Sequence, residues 1–340
     1  MRFIDLRSDS VTQPTPEMRK AMFEAETGYD VFREDPTVNR LESLAADMTG
    51  KEAGLFIATG TMGNQLAVLS FTERGDEIIL SSDSHISEFE VGAPSVLSSV
   101  SYRSVFTHDG ILRSADIEKA IRPLDDIHVP KTGMVCLENA LGRGKALPLN
   151  LMEEAYVTAK KHNLPVHTDG ARIFNAACAL KTTVKDIAKY TDSLVIHLSK
   201  GLCAPVGSLL LGPRDFIEKA RRYRHMLGGG WSHSGILAAA GIVALEKMVN
   251  RIKDDNENAR YLAGKLEKIS GIAVDHSCAD INLVFFTFDR PKEFNNSLPS
   301  NLLDKNIKIS AGNKGVFRFV VHNDVSKDDI DYVIDVLSNI

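Results

Sequence analysis

Asp169 lies in Thr-Asp-Gly-Ala-Arg (168–172) and Lys200 in Ser-Lys-Gly (199–201), each closing an apolar run. An aspartate in such a place is commonly a helix cap or turn former. A lysine can extend its stem and escape to water, though ammonium groups rarely approach a core without a function there. A third feature is the turn Thr59-Gly60-Thr61-Met62-Gly63. Its glycines let the backbone approach an anion, and the helix that follows offers free N–H groups. The fourth is His85, in Asp-Ser-His-Ile. Taken alone it reads as a structural histidine.

Asp169 and Lys200 gain meaning together. They lie 31 residues apart, at the ends of successive expected strands. In an open α/β sheet those ends face the crevice where ligands bind. Pyridoxal phosphate (PLP) needs this pair: a lysine for a Schiff base, and an acid against the pyridine nitrogen. The glycine turn supplies the phosphate cup.

The elements that must position these groups are legible. Strands are expected at Gly54–Ala58, Glu77–Leu80, Met134–Glu138, Val166–Thr168, Ser193–His197 and Ser208–Leu211. Between them, Leu151–His162 and Phe216–Leu227 carry apolar residues at helical spacing. This alternation predicts an α/β fold with a mainly parallel sheet covered by helices. After Gly228-Gly-Gly230, the segment Gly235–Leu266 reads as helix, interrupted by the polar Asp254–Asn258. Strand-like runs follow at Asn282–Phe288 and Phe317–Val321, then a helix at Lys327–Ile340. The expected division is an N-terminal segment (1–14), a large cofactor-binding domain (15–235) and a small α+β domain (236–340). The first 40 residues have no evident partner element and are expected to pack on the small domain or on a second subunit.

Composition narrows the function. The chain has 340 residues, 44% hydrophobic and 25% charged, as in ordinary globular proteins. Its formal charge is −5, without a long basic run, which argues against a nucleic-acid partner. The densest basic stretch, Lys219–Arg224, is read as a solvated helix face. No apolar run reaches the roughly 20 residues of a membrane span. The N-terminus lacks the apolar core of a signal peptide. Cys136, Cys178, Cys203 and Cys278 show no metal-like spacing, so no metal is expected. They read as buried thiols of a cytoplasmic protein.

The chain resembles the low-specificity L-threonine aldolases of the β-eliminating lyase family, PLP enzymes of fold type I. The resemblance spans nearly the whole length, through IDLRSDSVT (4–12), DVFREDPTVNRLE (30–42), TGTMGNQ (59–65), HTDGARIFNA (167–176), LSKGLCAPVGSLL (198–210), LGGG (227–230) and VFRFVVHNDVS (316–326). It implies that Lys200 forms the Schiff base, Asp169 pairs with the pyridine nitrogen and His85 stacks on the ring. Gly60 and Thr61 would cradle the phosphate. Arg172 would lie beside the cofactor's phenolic oxygen or the substrate, and Ser8 and Arg318 would bind the substrate carboxylate. A guanidinium suits that last role, since it grips a carboxylate with two parallel N–H groups. The resemblance also implies a small amino-acid substrate and a homotetramer built from dimers.

Departures from the family pattern cluster around the site. Where the family continues Thr-His-Asn after Leu137-Glu138-Asn139, this chain has Ala140-Leu141-Gly142. The family's Tyr and Gly near residue 32 are replaced by Phe32 and Arg33, the latter long enough to reach a partner subunit. His225 stands for a usual Lys, Trp231-Ser232-His233 for Met-Arg-Gln, and Ser87-Glu88 for an aromatic pair. Cofactor-handling residues are kept while groups around the substrate side chain change. Retro-aldol cleavage of an L-β-hydroxy-α-amino acid to glycine and an aldehyde leads the readings. Alternatives are β-elimination, transaldol transfer, racemisation or decarboxylation on the same cofactor, and a catalytically silent binding or assembly protein. The base is assigned to His85 or a water it orients.

Overall fold

The computed structural model describes residues 2–340. Met1, the first residue of the expected N-terminal segment, lies outside them. A seven-stranded sheet organises the first core. Its strands are β2 (Ala53–Ile57), β3 (Glu77–Ser81), β4 (Ser101–Val105), β5 (Thr132–Glu138), β6 (Val166–Gly170), β7 (Ser193–His197) and β8 (Ser208–Gly212). They lie in the order β2-β8-β7-β6-β5-β3-β4. The five strands from β7 to β4 run parallel, whereas β8 is antiparallel to both neighbours. Near-continuous apolar runs such as Leu194-Val-Ile196 and Leu209-Leu-Leu211 are fully buried, as strands covered on both faces must be. Helices at Gly60–Phe71, Leu149–Lys161 and Arg214–Met226 supply the cover.

The smaller unit is a three-stranded antiparallel sheet of β9 (Ile272–Val274), β10 (Leu283–Phe288) and β12 (Val316–Val320), in the order β12-β10-β9. Its core includes Phe286, Phe317 and Phe319 beneath the helices Lys292–Leu303 and Lys327–Ser338. The start of the chain belongs here as well. β1 (Ile4–Asp5) pairs in parallel with β11 (Ile307–Lys308), and Ile4 and Leu6 join this core. The early residues thus pack on the small domain, one of the two places expected of them, through a partner element about 300 residues away. Only two residues long on each side, that pairing is below what a periodicity can reveal.

Three local expectations are corrected. The long helical stretch is irregular at Ala244–Arg251 (a π turn, then 3-10), while Asp254–Asn258 lies inside the regular helix Ile252–Leu266. Asp255 and Asn256 are polar because they face inward: Asp255 pairs with Arg251, and Asn256 bonds Asn175 of the helix Ile173–Ala179. The basic stretch is not wholly solvated either. Arg224 is buried against Asp30 at 2.8 Å and donates to the Phe56 carbonyl, and Arg221 pairs with Glu42. Of the four free cysteines, only Cys136 and Cys203 are buried. Within Ile252–Leu266 the packing passes from the first core to the second: Ile252 belongs to the first and Ala259 to the second.

Candidate active site

The site grows from two adjacent strand ends. Asp169 is the fourth residue of β6, and Lys200 follows β7 by three residues. The lysine's backbone is fixed twice, because its carbonyl accepts from Thr12 Oγ1 and from the Cys203 N–H, both at 2.9 Å. Among the described residues its Nζ has neither an ion pair nor a hydrogen bond. Burial, reinforced by Arg172, holds the Lys200 pKa below its ordinary value. An amine made less basic in this way is suited to attack a carbonyl.

The Asp169 carboxylate is fully buried and tied down. Its oxygens accept from Asn64 Nδ2 at 2.8 Å and from the Ala171 N–H at 2.9 Å. Behind it, Asn64 Oδ1 meets His167 Nε2 at 2.9 Å, and His167 Nδ1 meets Ser193 Oγ at 2.7 Å. Burial pushes the Asp169 pKa up, but the Lys200 charge and the Asn64 bond outweigh it and keep the group ionised. His167 is lowered to about 4 by its burial, so the chain behind the carboxylate is neutral. A buried carboxylate held this firmly can keep a ring nitrogen protonated.

Gly60 and Thr61 open the helix Gly60–Phe71, capped by Thr59 through its hydrogen bond from the Met62 N–H. The first turn lies against His197 at the end of β7, three residues from Lys200, where an anion cradle would have to be. Gly60 is needed there for a second reason, since a Cβ would overlap the His197 imidazole. His85 is 36% exposed and held through Nδ1 by the buried Glu90 at 2.9 Å. That bond raises its pKa against the opposing effect of burial.

Arg172, Ser8 and Arg318 come from three distant stretches. Arg172 makes a two-pronged pair with the fully buried Asp9, Nε–Oδ2 at 2.7 Å and Nη2–Oδ1 at 2.8 Å. Arg318 sits on β12, an edge strand, but it is drawn inward. Burial and the neighbouring Arg172 lower its pKa, and among the described residues its guanidinium donates only to the Arg7 carbonyl, at 3.2 Å. Ser8 is otherwise engaged, since its Oγ caps the short helix Asp9–Val11 by accepting from the Ser10 N–H.

Sequence reasoning passed over four groups. Asp9 holds Arg172, Glu90 holds His85, and His197 lies 3.9 Å from Asp169. The fourth, Glu138, ends β5 directly opposite Asp169 on β6. Its oxygens accept from the His85 and Gly142 N–H groups at 3.0 and 2.7 Å. Burial, then the Asp169 charge, push its pKa up to about 7. An acid closing a buried strand beside that of Asp169 was the available signal. Beside it, Glu138, Leu141, Arg143, Asp83 and Ser84 line a cavity of about 20 Å³, room for a single water.

The altered positions fall into two groups. Ala140 and Leu141 are buried at this wall. Phe32 is 68% exposed, and Arg33 pairs with Glu218 of its own chain instead of remaining free for another. Trp231 packs edge-on against Phe56, while His225, Ser232 and His233 are exposed.

Residues 5–289 match the family described as beta-eliminating lyase. A low-specificity L-threonine aldolase of Escherichia coli K12 is 43% identical, over 96% of this chain and 96% of its own. An alanine racemase of Cochliobolus carbonum is 37% identical over 71% of this chain and 62% of its own. The solved structure of Leishmania major threonine aldolase superposes with a TM-score of 0.84 at 21% identity, covering 99% of each chain. At that identity the superposition bears on the fold.

Proposed function

Because the chain belongs to the β-eliminating lyase family, we propose that it is a PLP-dependent aldolase that cleaves threonine-like L-β-hydroxy-α-amino acids to glycine and an aldehyde. The observation that carries the reading is the partnerless, half-buried Lys200 amine beside a buried, ionised Asp169. Few ligands other than an aldehyde-bearing, protonated heterocycle use both. Bound there, PLP supplies a carbonyl for the substrate amine and a ring that draws electrons from Cα.

The chain's own residues then divide the work. Lys200 attaches the cofactor, Asp169 keeps its ring nitrogen charged, and the N–H groups from Gly60 and Thr61 receive the phosphate. Arg172, locked by Asp9, keeps a fixed cation beside Lys200. Arg318 has donors to spare for the substrate carboxylate, with Ser8 beside it. His85 covers the ring, and with Nδ1 engaged by Glu90 its Nε2 is left to accept the β-hydroxyl proton, directly or through a water.

The remaining parts of the reading are structural and cellular. We assign residues 15–235 to a large cofactor-binding domain and 236–340 to a small one whose first stretch, from Ala238 to Ile252, packs back on the large domain's core, with 1–14 as a strap tying the start of the chain to the small domain through β1. Phe89, Val91 and Val96 are 69%, 96% and 76% exposed, and Phe32 and Met226 are also bare. Such surface supports a homo-oligomer, which we take to be a tetramer of two dimers. No helix among the described residues is long and apolar enough to cross a membrane. With four free thiols, a cytoplasmic location fits best.

The test is product analysis by mass spectrometry after incubating the PLP-loaded protein with L-threonine, L-allo-threonine and a phenylserine. Glycine with the matching aldehyde is expected. No glycine from any of the three, with the cofactor visibly bound, would overturn the aldolase reading. The racemase relative and the changed wall at 140–141 favour one second reading, proton exchange at Cα of an unhydroxylated amino acid. D-alanine formed from L-alanine would then be the product to find.

A further inference from the structure

One buried polar atom of the site is left without a partner. His197 closes β7 three residues before Lys200, and its side chain is only 10% exposed. Its Nε2 has no hydrogen-bond partner among the described residues, and Asp169 Oδ1, at 3.9 Å, is too far to be one. Buried polar atoms in folded proteins are nearly always paired, so this one calls for a group that the chain does not supply.

The surroundings indicate where that group lies. A Cβ on Gly60 would overlap Nε2, so the imidazole rests against the first residue of the helix Gly60–Phe71. Val195, two residues earlier and on the same face of β7, packs beneath Gly63 of that helix. The two contacts fix the ring under the turn that carries the helix's free N–H groups. Burial, then the Lys200 charge, lower the imidazole pKa, so the ring is neutral and carries one N–H.

We propose that His197 is a further cofactor-positioning residue whose Nε2–H donates to the phosphate seated at the Gly60–Thr61 turn. The proposal rests on the reading of this crevice as a PLP site. A neutral donor adds a hydrogen bond there without placing another cation beside Lys200, Arg172 and Arg318. It also accounts for Gly60: the glycine admits both the phosphate from above and the imidazole from below.

The experiment is a titration of the cofactor-free protein with PLP and, separately, with pyridoxal, which lacks the phosphate, followed by absorbance. The variants are His197→Ala and His197→Gln, the second keeping a donor, each checked by circular dichroism for retained fold. For His197→Ala, PLP affinity is expected to fall about tenfold to a hundredfold, the range of a lost hydrogen bond to a charged group. Pyridoxal affinity should be unchanged, and His197→Gln should recover part of the loss. An equal loss for PLP and pyridoxal would place the bond elsewhere on the cofactor and overturn the phosphate assignment. Unaltered PLP binding by both variants would overturn it as well. If the natural protein itself took up no PLP, the reading of the crevice would fall, and this inference with it.

Discussion

The floor of the crevice and its wall are built on opposite principles. On the floor, Asp169, Asn64, His167 and Ser193 form an unbroken chain of hydrogen bonds between 2.7 and 2.9 Å. Arg172 and Asp9 are locked together two-pronged beside it. The wall is made of Glu138, Ala140 and Leu141, with the exposed Phe89 against His85. It holds a carboxyl near its titration point and a cavity for one water. The contrast shows what the fold over-determines. In the proposed reading, cofactor handling is held by redundant contacts, whereas recognition of the substrate side chain is left to a few apolar surfaces that can change without disturbing the floor.

The largest effect should come from removing the free amine of the floor. Lys200→Ala is expected to cost at least about 10³-fold in turnover, the upper part of the range for a positioned proton-transfer or nucleophilic group. The visible absorbance of the PLP-loaded protein should change with it. An unchanged spectrum in that variant would remove Lys200 from its assigned role.

Next comes the Asp9–Arg172 pair. Asp9→Ala leaves a buried guanidinium uncompensated and is expected to destabilise the protein by about 3–5 kcal/mol, measured by urea unfolding. Arg172 holds the Asp9 carboxyl well below the usual carboxylate range despite the opposing effect of burial. The stabilisation is therefore present above the unfolded pKa, near 4, and is lost as pH falls through the lower folded value. The difference between the natural protein and Asp9→Ala should thus be constant from pH 7 to pH 5 and shrink only in stronger acid. A difference that vanished already at pH 5 would contradict the pairing.

The same division governs what the sequence disclosed. The floor was legible because its residues close buried strands: a charge after Val166-His-Thr168 or Leu194–Leu198 breaks a pattern and so announces itself. Its support was not, because Asp9 lies 163 positions from Arg172 and nothing local marks the two as partners. His197 was hidden differently, as the ordinary last residue of an apolar strand. Asp255 and Asn256 misled because polarity inside a helix signals exposure unless their partners, Arg251 and Asn175, are known. The two-residue pairing of β1 with β11 is too short for any pattern to carry.

Glu138 tests the wall. Its folded pKa is raised, so the stability it contributes is present below the unfolded value near 4.3 and is lost as pH rises toward about 7. Glu138→Gln should flatten this slope, by about 2–3 kcal/mol between pH 5 and pH 8. Part of the slope should survive, because burial also raises Asp255 to about 7. PLP affinity should stay within about threefold, since the floor is untouched. A pH slope identical to that of the natural protein would show that Glu138 is ionised throughout.

The smallest effect sharpens the comparison most. Leu141→His returns an imidazole to the place where the resembled family carries one. Leu141 is 6% exposed and belongs to the first core, so a polar ring there costs about 1–3 kcal/mol unless it finds a partner. Asp83 and Glu138 line the same cavity, and either could accept from it. With such a bond, the ratio of kcat/KM for L-threonine to that for L-allo-threonine should move by up to about tenfold, the worth of one hydrogen bond. The cofactor spectrum should not move. A change of ratio with an unaltered spectrum would locate side-chain recognition in the wall alone. A shifted spectrum would mean that wall and floor are coupled through Glu138, whose oxygen receives the His85 N–H, and that the separation drawn between the two regions is wrong.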